Sequence, residues 1–71
     1  MKKLNDVLAN KFYNECEEIK NARNSEDLNF HVGVACGFAS GLLLSHSIDM
    51  ECYAAMHLYI GTLRDGWFLR K

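Results

Sequence analysis

Val32-Gly33-Val34-Ala35-Cys36-Gly37-Phe38-Ala39-Ser40-Gly41-Leu42-Leu43-Leu44 is the stretch that decides the fold: thirteen residues without a charge, with a glycine at every fourth position from Gly33 to Gly41. Asp, Glu, Lys and Arg are absent from the whole of residues 28–48. A helix that is apolar on all sides asks to be buried on all sides. The spacing of four places the three glycines on one ridge of such a helix. Each interior glycine costs about 0.8–1.0 kcal/mol relative to alanine, so the three together cost roughly 2–3 kcal/mol. Close approach of a second backbone is the usual offset, and Ala35, Ala39 and Ser40 widen the smooth surface. The approaching element is either a later helix carrying Ala54 and Ala55 or the same helix of another subunit. Three short helices do not readily surround a middle one, so the sequence favours a homodimer with Gly33, Gly37, Ser40, Gly41 and Leu44 in its interface.

The flanks have helical periodicity. Leu4, Val7, Leu8, Phe12, Cys16 and Ile19 trace one stripe, which predicts helix 1 over residues 4–20. Asn21-Ala22-Arg23-Asn24 reads as a turn. Ser25 is a candidate N-cap, with Glu26 and Asp27 against the positive end of the helix dipole, so helix 2 is placed over 26–45. Ser47 is the corresponding candidate for helix 3 over 48–64, whose apolar set is Ile48, Cys52, Tyr53, Ala55, Met56, Tyr59, Ile60 and Leu63. Gly66 is expected to end that helix. Trp67-Phe68-Leu69 then lies outside it, folded back on the bundle or docked on a partner. No proline interrupts these segments. The expectation is an all-α, three-helix compact bundle, one domain spanning residues 1–71. A chain this short buries only about 60% of its unfolded surface, so its core is marginal. Tyr53, Tyr59, Trp67 and Phe68 form a candidate partner-binding aromatic set, the residue types favoured at interface hot spots.

Other chemistry finds little support. A net charge of -1 gives no field for nucleic acid or anionic membrane. A recognition helix would be basic, whereas the third helix opens with Asp49 and Glu51. His31, His46, His57, Cys16, Cys36 and Cys52 lack zinc-site spacing, and His31 faces only Ala35 one turn on. Cys52 and His57 are five apart and point in different directions on a helix, so no nucleophile–base pair forms there. The glycines are followed by no Lys-Ser or Lys-Thr, which excludes a phosphate loop. No enzyme, cofactor or metal is expected. Three cysteines, an odd number with no signal peptide ahead of them, fit free thiols in a reducing, cytoplasmic setting. The uncharged run has 21 residues, and a membrane span takes about 20. Asn29, His31, Ser40, Ser45, His46 and Ser47 within it argue for a soluble helix instead. The function expected is a protein-binding modulator or adaptor without chemistry. The alternatives are a small nucleic-acid-associated regulator and a single-span membrane protein with helix 28–48.

The glycine-rich helix of residues 33–44, the Ser45-His46-Ser47-Ile48 turn and the acid-started helix after it resemble small helical accessory proteins of phages, prophages and plasmids. The likeness covers roughly the last 45 residues of the chain. It implies a cytoplasmic protein that binds and modulates a host or phage component, and it carries over no functional residue.

Overall fold

The structure is a computed structural model that describes residues 5–70. It contains three helices, α1 (Asp6–Lys20), α2 (Ser25–Leu44) and α3 (Met50–Leu69), and no strand among the described residues. Leu4, placed in helix 1 by the sequence pattern, lies outside the described residues, as do Lys2 and Lys3. Each helix opens on an Asn or Asp side chain. Asn5 accepts from the Leu8 amide at 2.9 Å, Asn24 from Asp27 at 2.8 Å and Asp49 from Cys52 at 2.9 Å. The expected caps Ser25 and Ser47 are therefore corrected to Asn24 and Asp49. These two residues hold extended backbone, so their side-chain oxygens reach the third amide of the helix. Ser25 becomes the first helical residue, and the Ser47 hydroxyl instead meets Ser45 Oγ at 2.9 Å. Asp6, Glu26, Asp27 and Glu51 occupy first turns, where negative charge suits the dipole.

All three helix pairs touch. The core gathers Phe12, Cys16 and Ile19 of α1, Leu28, Ala35, Ala39 and Leu42 of α2, Ile48 of the turn, and Met56, Ile60 and Trp67 of α3. No polar or charged side chain is fully buried among the described residues. The expectation that α2 is enclosed on every side is corrected. In a three-helix bundle each helix touches two neighbours and leaves one side open. On α2 that open side carries Gly33, Gly37, Gly41 and Leu44.

The α2–α3 link is tight. Ser47 N–H donates to the Leu42 carbonyl at 2.9 Å and His46 N–H to Leu43 at 3.1 Å. This pair of bonds is the Schellman arrangement that closes a helix C-terminus, and its hinge residue takes the left-handed conformation. Here that residue is His46, at φ 62°. Glycine, the usual occupant, gave no sequence signal at this position.

The end of α3 also differs from the sequence reading. Gly66 does not terminate the helix, which runs on to Leu69. The extra turn brings the Trp67 ring into the core, where its indole N–H donates to the Ala22 carbonyl at 2.9 Å. The Arg70 guanidinium donates to the Lys20 carbonyl at 2.8 Å. The Lys20 carbonyl is one of the last C=O groups of α1, which have no partner within their own helix, and the Ala22 carbonyl lies in the turn just after it. The Arg70 cation also sits at the negative end of the α1 dipole. These bonds offset the cost of glycine inside the last turn.

His46→Gly is expected to stabilise the fold by about 0.5–1 kcal/mol, because only glycine holds a positive φ without steric cost. In a chain of this size that raises the melting temperature by roughly 3–6 °C in a thermal scan. Trp67→Ala is expected to cost about 3–5 kcal/mol, enough to remove the cooperative transition.

Candidate protein-association surface

The exposed side of α2 is a continuous apolar strip. Successive residues of a helix turn by about 100°, which aligns Phe30, Gly33, Gly37, Gly41 and Leu44 along one ridge, with Val34 beside it. Phe30 is 65% and Leu44 80% exposed. A side-chain carbon added at Gly33, Gly37 or Gly41 would meet nothing within 4 Å. The third helix therefore does not occupy the glycine ridge, and the intramolecular packing considered from sequence is excluded. α3 packs beside α2 instead. Ser40, expected on the same ridge, is half-buried with its Oγ 3.4 Å from the Tyr53 hydroxyl, and so joins α2 to α3.

After the short link of residues 45–49, α3 returns along α2, and the Ser40–Tyr53 contact joins the two. The outer side of α3 carries Met50, Ala54 and Leu58, all exposed, with Leu58 at 72%. α2 is also long and apolar enough to cross a membrane by length and composition.

The aromatic set anticipated from sequence is not one patch. Trp67 is core, bonded to Ala22, and is removed from the candidate partner-binding residues. Phe68 lies edge-on to Trp67 at 5.1 Å and keeps its outer side in solvent. Tyr53 is half-buried against the His57 ring at 4.5 Å. Tyr59 belongs to a different group, 6.3 Å from both Phe12 and Tyr13. With Cys52, Ala55 and Met56 these rings line an open depression of about 340 Å³ between α1 and α3. Tyr13, Phe30, Met50 and Leu58 were not singled out from sequence. Phe30 and Leu58 were legible, Phe30 at three residues before Gly33, Leu58 at the fourth residue after Ala54.

Polar chemistry concentrates at one α1–α2 contact. His31 has Glu15 and Glu18 of α1 at 3.8 Å and Asp27 of its own helix at 3.5 Å. Glu15 Oε2 and His31 Nδ1 are buried atoms that make no hydrogen bond in this geometry and lie 3.8 Å apart. Asp27 stands one turn before His31, a helical neighbour that a forward look from His31 to Ala35 overlooks. Among the described residues no group of three or more His, Cys, Asp or Glu side chains is arranged to hold a metal ion. The three cysteines are free. Burial, and then the neighbouring charges of Glu15 and Glu17, push the Cys16 thiol up to about 11.

Compared with known proteins, the chain matches no family model, no curated protein and no solved structure.

A thiol held protonated is not a nucleophile. Native Cys16 is expected to resist iodoacetamide at pH 8 and to react only once the chain is unfolded, as mass mapping of the labelled peptide will show. The raised value also fixes a sign. The folded state holds this proton more tightly than the unfolded state, so the contribution is complete below the ordinary thiol value of 9.0 and fades as pH climbs towards about 11. Cys16→Ala is expected to flatten that alkaline loss of stability in melts taken between those limits.

Proposed function

We propose that this chain is a non-catalytic protein-association module that pairs with a second copy of itself through the exposed side of α2 and serves as a small adaptor or modulator. One observation carries the reading: Gly33, Gly37 and Gly41 line an open ridge, flanked by exposed Phe30 and Leu44, on a helix with no charge after Asp27. Glycine at an open helical position weakens the lone fold and gives it nothing in return. Its value arises when another helix lies against it. Phe30, Val34 and Leu44 are exposed apolar residues along the same side of the helix, which supports the reading.

The accessory-protein resemblance agrees with this reading, since such a protein acts by contact. Cytoplasmic location is part of the same proposal. It rests on free thiols and on an α1 that lays Glu15 and Glu18 against His31 of the apolar helix. The membrane alternative rests on the length and apolar composition of α2, only 22% of whose best window is buried.

Light scattering after size-exclusion chromatography at micromolar concentration is expected to give twice the mass of one chain. Gly37→Leu separates the fold from the assembly. Nothing stands within 4 Å of that position, so the lone subunit should fold at least as well, because leucine is the better helix former by roughly 0.7 kcal/mol. The bulk should block close approach and shift the mass to that of one chain. A monomeric wild-type chain overturns the proposal, and recovery of the protein only with membranes favours the spanning alternative.

A further inference from the structure

We propose that His31 is a proton-operated clasp: its protonated ring ties α1 to α2, and loss of that proton loosens the contact. This device belongs to the fold of one subunit and does not rest on the self-association proposed above.

Both ring nitrogens of His31 face carboxylates. Nδ1 lies 3.8 Å from Glu15 Oε2 of α1, while Nε2 lies 3.5 Å from Asp27 Oδ1 of α2 and 3.8 Å from Glu18 Oε2 of α1. The other oxygen of Asp27 is already used. It accepts from the Arg23 amide at 3.1 Å and has the exposed Arg23 guanidinium at 3.8 Å, which leaves Oδ1 to the ring. On α1, Lys11 shares a surface depression with Glu15 and makes no ion pair among the described residues. Cys16, next to Glu15 in the chain, is a protonated thiol without charge. No charged side chain of α3 pairs with His31 among the described residues.

The chemistry of the ring makes this geometry a switch. Neutral imidazole has one N–H and one lone pair, imidazolium has two N–H groups, and an ionised carboxylate only accepts. Neutral His31 therefore sets a lone pair against a carboxylate on one side, whichever tautomer it takes. The imidazolium presents a donor to both sides, and hydrogen bonds between ionised partners are the stronger kind. Water does not relieve the mismatch on the Glu15 side, because Nδ1 and Glu15 Oε2 are both buried atoms. Glu18 is 61% exposed and screened by solvent, so Glu15 and Asp27 dominate.

The folded chain thus gains from the proton what an unfolded chain, with its ring in water, does not. Linkage fixes the sign: stability is greater when the imidazolium is present and falls as pH climbs through the range in which histidine titrates. The clasp joins the ends of α1 and α2 that hold Ile19 and Leu28, the largest fully buried side chains, so loosening it reaches the core.

Urea melts of the full chain between pH 6 and 8 test the clasp, in a range where ordinary carboxylates stay ionised. His46 and His57 are present in every variant, so only differences from the wild type are read. Across that span the wild-type folding constant is expected to fall roughly three- to tenfold more than that of His31→Gln, one linked proton allowing about tenfold per pH unit at most. Glu15→Gln is the sharper variant. Its amide can donate to Nδ1 while Nε2–H faces Asp27, so the neutral ring is satisfied and the pH-dependence shrinks towards that of His31→Gln. Glu18→Gln, at the exposed carboxylate, is expected to change it less than Glu15→Gln does. Parallel pH profiles for the wild type and His31→Gln overturn the inference. A Glu15→Gln chain that keeps the full wild-type profile also overturns it, a comparison that stands even if His31→Gln does not fold.

Discussion

Ala35 and Ala39 are the points on which three helices converge. Both are fully buried, and both sit on the inward stripe of α2 between Leu28 and Leu42. Their small side chains let α1 and α3 approach the same stretch of α2 from two sides. Larger residues would push one of them away, since overpacking a core forces off-rotamer side chains and backbone shifts. Phe12, Ile19, Met56, Ile60 and Trp67 then fill the space around the alanines. The position of these five large side chains follows from the room left by the two small ones.

The same helix carries small residues on two sides for two different reasons. Alanine faces inward, where its methyl group touches neighbours and its helix propensity is the best available. Glycine faces outward, where a side-chain carbon would meet nothing. Polar, helix-favouring residues, the usual occupants of an exposed helix face, are missing from that stretch of the outer side. The polarity is displaced to the N-terminal end, where His31 meets Glu15, Glu18 and Asp27 and couples α1 to α2. The middle and C-terminal part of the outer ridge keeps no charge.

The helices themselves were legible because their apolar residues recur at helical spacing and their starts carry acidic side chains. The direction in which α2 faces was not. A helix apolar all round has no stripe for periodicity to detect, so sequence gave the element and withheld its orientation. The ends shifted for local reasons. Asn24 and Asp49 outcompeted the serines beside them, and Trp67 drew one more turn into α3 past Gly66. The left-handed His46 left no trace in the sequence, since histidine at positive φ is uncommon. Of the residues named for association, the glycines and Leu44 do lie on an open face, Ser40 and Tyr53 join α2 to α3, and Trp67 is core. Burial of an aromatic ring depends on tertiary contacts, which a local pattern does not encode.

The bond from the Trp67 indole to the Ala22 carbonyl spans 45 positions of the chain. With Arg70 on the Lys20 carbonyl, it means that the corner after α1 is completed by the last turn of α3. During synthesis, α1 and α2 emerge long before that turn exists, and the α2 stripe that α3 will cover stays open meanwhile. A nascent chain of that length lacks both the closure of the corner after α1 and the cover on that stripe.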